Sequence, residues 1–577
     1  MNILPFLWLA VSTMLAGCAT VAEAPAPTPA PLVDAEPEAQ VAQEAPTPES
    51  GLTAELLYHV MAAEVAGQRG RLDLAVENYL QAARLSGDAK VAERATRIAV
   101  YARDDQAALD AARVWVEAEP DSVDANQVVA ALLVRRGELD EATARLEHVL
   151  QMGGNGDTNR YMLITTLLSR EQDKAAALEV MNRLMAKRPN NPDALYAFAH
   201  LAYLVGDYPR AIEAVEQALA LKPDWSVAHI LRANTLTRQG QTELALNRLD
   251  EAVKEYPEDS ELRMFYARKL MEARRLDAAR DQFKVLLEYE PDATAAVFAL
   301  GLLSLQLNQF DDAERYFKDL IERGERASEA SYFLGQLHEA RRNTDEAMSW
   351  YAQVRDGDYF FDAQMRIAVL LAKRGDVAEA RERLSAIPAN NNQARVRIYL
   401  TEGEILREAK QYQEAFDLYT TALEVMPQNV DLLYARGLTA ERIGRLDILE
   451  ADFKAVLAID PENAQALNAL GYTLADRTTR YEEALEYVQR ALELRPNDAA
   501  VIDSMGWVLY RLGRHDEALK YLRRAFEMLN DAEIAAHLGE VLWVTGDHDR
   551  AREVWDEALR EAPQHEILLD VIKRFTQ

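Results

Sequence analysis

A small residue returns about every 34 positions through most of this 577-residue chain. Ala75, Ala108, Ala142, Ala177, Ala211, Ala245, Ala279, Ala313, Ala347, Ala380, Ala415, Ala484, Ala518 and Ala551 form the series, with Leu449 as its one large member. Pro120, Pro189, Pro223, Pro257, Pro291, Pro427, Pro461, Pro496 and Pro563 keep step with it, separated by one, two or four such periods. Self-similarity at this spacing marks a stacked array, in which one supersecondary unit buries its apolar face only against its neighbours. Each unit reads as two helices. Four residues after the alanine stands a large apolar residue, such as Tyr79, Phe283, Phe317, Tyr351, Tyr419, Phe453 or Trp555, at helical spacing. Twelve residues before it, on the first helix, stand Gly301, Gly335, Gly403, Gly437 and Gly506. Gly206, Gly240, Gly444, Gly513 and Gly546 lie five residues before the series position, where a left-handed residue would close the first helix. The alanines are expected where the paired helices touch, because a larger side chain would force them apart. Leu449 predicts a local distortion, and Ser169–Asp173 and Asn390–Gln393 are the weakest joints.

Period, alanines, glycines and prolines together resemble tetratricopeptide repeats, most completely over Ala499–Asn530 (AAVIDSMGWVLYRLGRHDEALKYLRRAFEMLN). The resemblance implies an all-α solenoid over residues 51–563, a right-handed superhelix of about 15 helix-turn-helix repeats with first helices lining the concave side. Residues 564–577 are expected to form a capping helix over the last apolar face, as repeat arrays require. An Ala, Leu, Glu and Arg bias with few β-branched runs agrees with an all-helical chain.

The N-terminus reads as an address. The apolar run from Ile3 to Ala16 is too short for a membrane-spanning helix and suits a signal-peptide core. It ends in Leu15-Ala16-Gly17-Cys18, which resembles a bacterial lipobox, and Cys18 is the only cysteine. Residues 1–17 are therefore expected to be a lipoprotein signal peptide, with acylation at Cys18. No Lys or Arg precedes the run, so cleavage near Ala22-Glu23-Ala24, leaving an unanchored periplasmic protein, stays open. Ala19 is not the Asp that retains such proteins at the inner membrane, which by resemblance points to the periplasmic face of the outer membrane. Residues 18–50 are rich in Ala, Pro and Glu, with six acids and no base, a composition that reads as a tether. Stiffened by proline, it would reach on the order of 100 Å.

Chemistry is hard to find. A single cysteine excludes an internal disulfide, a redox pair and a cysteine-based zinc site. No His-Glu-x-x-His, Gly-x-Ser-x-Gly or Ser-x-x-Lys occurs, and Gly153-Gly154-Asn155-Gly156 reads as a turn between units because no Lys-Ser/Thr follows it. The formal charge of −31 disfavours nucleic acid and broad adhesion to anionic lipid. The expectation is a non-enzyme with no cofactor and no metal, touching the membrane through its lipid anchor only.

The family's groove positions fall on Tyr196, His200, Tyr203, Phe298, Tyr332, Tyr434, Tyr472, Asp503, Trp507, Tyr510, Arg511 and Trp543. Aromatic side chains there are candidate protein anchors, burying much area at small entropic cost, and Tyr472, Trp507, Tyr510 and Trp543 form the strongest run. The Lys/Asn clamp that holds acidic chaperone tails is missing. Ile230 with Asn234, and Tyr332 with Gln336, stand at its positions.

The stretches Asp503-Ser504-Met505-Gly506-Trp507-Val508 and Glu533–Trp543 (EIAAHLGEVLW) resemble a group of proteobacterial repeat lipoproteins, the outer-membrane partners of carboxyl-terminal processing proteases. That resemblance implies a scaffold that binds a periplasmic PDZ-type serine protease and helps it degrade cell-wall hydrolases. The alternative is an assembly factor for an envelope machine for secretion, pili or exopolysaccharide export.

Overall fold

In the computed structural model the described residues are 52–152 and 158–576. They form 31 α-helices and no strand. The signal run, Cys18, the 18–50 tether and Gly153-Gly154-Asn155-Gly156 lie outside them. No helix among the described residues is long and apolar enough to cross a membrane.

The helices follow one another as pairs, from α1 (Ala54–Gln68) with α2 (Leu72–Ser86) to α29 (Ala532–Val544) with α30 (His548–Glu561). A last single helix, α31 (Glu566–Thr576), packs on α29. Within each unit, several first helices also touch first helices of the neighbouring pairs. The chain divides into two compact units, one ending at Tyr316 and one beginning at Phe317.

Helix pairing follows from small residues on both partners. All fifteen series positions, Leu449 included, are at most 2% exposed. On the facing helix, a Cβ added to Gly506 would lie 2.6 Å from Leu522 Cγ and 3.2 Å from the carbonyl oxygen of Ala518. Gly471 stands in the same relation to Ala484, and Gly335 and Gly437 make room for the rings of Tyr351 and Phe453. Where the first helix carries glycine, its bare backbone receives the large residue that follows the series position on the second helix; other pairs place a buried alanine there, such as Ala63, Ala130, Ala199, Ala233, Ala267 or Ala368. Leu449, expected to mark a local distortion, is buried in α24 (Leu446–Ile459), a continuous helix.

The ends of the helices are written locally. Eight first helices close on a glycine in the left-handed region, Gly206 at φ +88° among them. Five others place Arg103, Arg274, Asn308, Arg342 or Lys410 there, at φ between +57° and +63°. Two residues after several prolines an Asn or Asp caps the next helix, as Asn429 Oδ1 accepts from the Leu432 amide at 2.9 Å and Asp259 Oδ1 from Leu262 at 2.9 Å.

The weak joint at Ser169–Asp173 has neither closing glycine nor left-handed residue. It is held by charge. Arg135 donates to the buried Glu171 carboxylate at 2.7 and 3.2 Å, and Lys174 Nζ donates to the carbonyls of Ser169 and Glu171 at 2.8 and 2.6 Å. At Asn390–Gln393 the chain simply starts α21 (Asn392–Glu408), capped by Asn391. The larger irregularity lies just upstream, in the two shortest second helices, α18 (Thr344–Tyr351) and α20 (Val377–Ser385). The Asp356-Gly357-Asp358 turn, with Gly357 at φ +80°, follows the first. Pro388 follows the second and disfavours helix in the residue before it.

Candidate protein-binding surface

Repeat packing puts the same few positions of each first helix on the same side, so residues far apart in sequence meet there. In the first unit, α9 (Pro192–Val205) carries Tyr196, His200 and Tyr203, all half-buried. The Tyr196 and His200 rings stack at 6.1 Å, Trp225 lies 4.8 Å from Tyr196, and Lys222 Nζ sits 4.6 Å over the Trp225 ring. Burial lowers the His200 pKa and keeps that imidazole neutral. Phe298, on α15 (Thr294–Gln306), is 3% exposed and belongs to the apolar interior.

In the second unit, Tyr332 on α17 (Ala327–Ala340) is also buried, stacked on Tyr359 at 4.5 Å and close to Tyr351 at 5.6 Å. Tyr434, on α23 (Val430–Arg442), is half-buried against Phe453 at 5.4 Å. Three consecutive first helices then converge: α25 (Ala464–Arg477), α27 (Ala499–Arg511) and α29. Tyr472 donates from its hydroxyl to Glu533 at 3.1 Å and lies 3.3 Å from His537 Nε2. The other ring nitrogen, Nδ1, lies 2.8 Å from Asp503 Oδ2, and the imidazole stacks on Trp507 at 4.2 Å. Tyr510 packs 5.2 Å from Trp507 and donates to Glu540 at 3.1 Å, and Glu540 also receives Arg574. Arg511 holds the Asp476 carbonyl at 3.1 Å and places its guanidinium 6.0 Å from the Trp507 ring centre.

Electrostatics follow from burial among acids. Burial alone would pull the His537 pKa down, but Asp503, then Glu533 and Asp476, outweigh it and raise it above the ordinary imidazole value. Burial, reinforced by Glu540, pushes the Tyr510 hydroxyl up to about 12, and burial with Glu533 pushes Tyr472 higher still, so both phenols stay neutral donors. Burial raises the Glu540 carboxyl against the opposing pull of Arg574.

The structure thus brings Tyr472, Asp503, Trp507, Tyr510 and Arg511 into one cluster. Trp543 packs on the same apolar core cluster as Tyr472 and Tyr510, with His548 at 4.3 Å, Trp555 at 5.6 Å and Phe575 at 6.5 Å. Reading aromatics alone missed His537, Glu533, Glu540 and Arg574, which tie the helices together. One signal could have found them: Asp503 with His537, and Glu540 with Arg574, are opposite charges 34 residues apart, one repeat period. Aromatic faces rimmed by fixed polar groups suit the holding of protein.

Models of the tetratricopeptide repeat match residues 168–235, 236–301, 298–360, 462–531 and 504–566. A TPR repeat-containing protein of Pseudomonas aeruginosa is 41% identical over 534 residues, which is 92% of this chain and 89% of that protein. A small glutamine-rich tetratricopeptide repeat-containing protein of Mycosarcoma maydis is 30% identical over 111 residues, covering 19% of this chain and 31% of that one. Among solved structures, yeast Tom70 aligns over 90% of this chain and 95% of its own, at 15% identity and TM-score 0.32. A tetratricopeptide repeat protein from Parabacteroides merdae aligns over 45% and 99%, at 16% identity and TM-score 0.36. With this repeat architecture and a relative matched along nearly its whole length, the chain belongs to the tetratricopeptide repeat proteins, whose fold serves as a scaffold for protein partners.

Proposed function

We propose that the chain is a lipid-anchored scaffold on the periplasmic face of the outer membrane, and that it holds a carboxyl-terminal processing protease of the PDZ-type serine class together with the cell-wall hydrolases it degrades. The observation that carries the scaffold reading is the cluster on three consecutive first helices, where the half-buried Tyr472 and Tyr510 are fixed in place by Glu533, His537 and Glu540, with Tyr510 packed against the buried Trp507. Anchors already locked in position lose little entropy when a partner docks. The lipobox-like run ending at Cys18 and the two stretches that resemble protease-partner lipoproteins support the anchor and the protease. In this reading the lipid fixes one end, the proline-rich tether supplies reach, and the repeats raise the effective concentration of protease and substrate for each other without chemistry of their own. Pull-down with a lipid-free form tests it. Recovery of a PDZ-type serine protease, reduced by Tyr510→Ala, is the expected result. Recovery of pilus, secretin or polysaccharide-export components in its place would move the function to envelope assembly. A globomycin-sensitive shift of the mature chain, lost in Cys18→Ser, tests the anchor separately.

A further inference from the structure

The first helix α27 is buried all round. Every residue from Val501 to Leu509 is buried, so well over two turns present no exposed stripe. Asp503 and Trp507, at its groove positions, are each 6% exposed. Repeat arrays ordinarily leave that side open, since each unit packs only against its neighbours. Here contacts that skip a pair close it. Tyr472 on α25 donates to Glu533 on α29 at 3.1 Å and lies 3.3 Å from His537 Nε2, joining residues 61 and 65 apart. Ties between neighbouring pairs are shorter in sequence: Arg135 reaches Glu171 over 36 residues, and Arg183 reaches Asp140 over 43. His537 stacks on the Trp507 ring at 4.2 Å and meets Asp503 Oδ2 at 2.8 Å, so the bridge rests on the α27 face itself. The same winding brings Glu566, at the start of α31, to 2.8 Å from Lys410, 156 residues earlier in the turn after α21.

Two features oppose this closure. Asn468 Oδ1, one turn before Tyr472, and Asp503 Oδ1 and Trp507 Nε1 are buried without a hydrogen bond, which costs free energy that exposure to water would recover. Glu441, Asp476, Asp503 and Glu533 also bring carboxyl groups from α23, α25, α27 and α29 into one neighbourhood, with Arg442 and Arg477 as counter-charges beside Glu441. We propose that α25 and α29 form a gate over α27, latched by the Tyr472 hydroxyl, and that a partner segment reaches the Asp503–Trp507 face only when the gate opens. The gate rests on the protein-binding reading above and supplies its regulation. In the latched form a partner meets only the half-buried Tyr472 and Tyr510 at the rim.

The motion is tested without a partner. In the full chain labelled with nitrogen-15 at tryptophan, indole N–H exchange with water is followed by NMR at Trp507, assigned through Trp507→Phe, and at Trp555, buried against Gly539. Neither indole N–H has a hydrogen bond, so burial alone protects both. In the wild type Trp507 should exchange at least about ten-fold faster than Trp555, because parting two helices needs less than unfolding a pair. Tyr472→Phe removes the latching hydroxyl and keeps the ring. It should speed Trp507 exchange about ten-fold or more and change Trp555 by less than about two-fold. Equal wild-type rates, or equal acceleration of both indoles, would overturn the gate, as would no acceleration at Trp507. Recovery of the PDZ-type protease by pull-down should also rise in Tyr472→Phe above wild type. Unchanged or lower recovery beside faster exchange would overturn the role in docking, whereas no recovery by either chain marks failure of the scaffold reading itself.

Discussion

Replacing Gly506 by Ala should destabilise the second unit, although the same change elsewhere in a helix does the reverse. Gly506 lies inside α27, where Ala is favoured over Gly by up to about 1 kcal/mol on backbone entropy. The new methyl would lie 2.6 and 2.8 Å from Leu522 and 3.2 Å from the Ala518 carbonyl oxygen, closer than carbon atoms rest. Leu522 is fully buried. Forcing one methyl into such packing costs about 1–3 kcal/mol, which leaves a net loss of about 0–2 kcal/mol. Gly67 provides the control: it is also helical, on α1, and its added Cβ would meet nothing within 4 Å. The control should gain up to about 1 kcal/mol, so the two variants should differ by about 1–3 kcal/mol, the packing contribution by itself. Because the chain has two units, native-state hydrogen exchange of α27 and α28 (His515–Met528) is the right assay, and a single melting temperature is not. Adding Leu522→Ala should cost less in the Gly506→Ala background than in wild type. If Gly506→Ala protected α27 as much as Gly67→Ala protects α1, the account of how these helices pair would be wrong.

Three further outcomes follow from the same contacts. Asp452 is buried on α24 and takes both arms of Arg436 at 2.7 and 2.8 Å, so Asp452→Ala should cost about 3–5 kcal/mol, read as lost hydrogen-exchange protection in α23 and α24, much of it from the stranded guanidinium. The raised His537 pKa means the folded state holds its proton more tightly than the unfolded chain. Its contribution is therefore complete below about pH 6.5 and lost as pH rises through the folded pKa, and His537→Gln should flatten stability over that window, with imidazole titration by NMR as the direct check. Arg274 and Arg342 occupy left-handed backbone, so Arg274→Gly or Arg342→Gly should stabilise its turn by up to about 1 kcal/mol, read as slower local exchange.

Much of the fold was legible because repeat packing is local. Each alanine answers one helix crossing, and each closing glycine answers one positive φ. The signal weakens where another interaction replaces the motif. At Gln172 no glycine marks the turn, and the Arg135–Glu171 pair that secures it joins residues 36 apart, which a search by position within one unit does not connect. Leu449 pointed to a local distortion, and it lies buried within a continuous helix. The surface was less legible. Aromatics at groove positions could be named, but Phe298, Tyr332 and Trp507 are buried in the interior, and depth within a layer depends on how successive first helices lean together. The polar ties through His537 and Arg574 were visible only as charge pairs one period apart.

Site-specific photocrosslinking in living cells tests the scaffold claim most directly. With a photoreactive phenylalanine analogue at Tyr510, half-buried on the first-helix layer, irradiation should capture a discrete protein partner. At Glu486, exposed on the second helix α26 (Tyr481–Leu494), it should capture none. Capture from Glu486 with silence at Tyr510 would contradict the account.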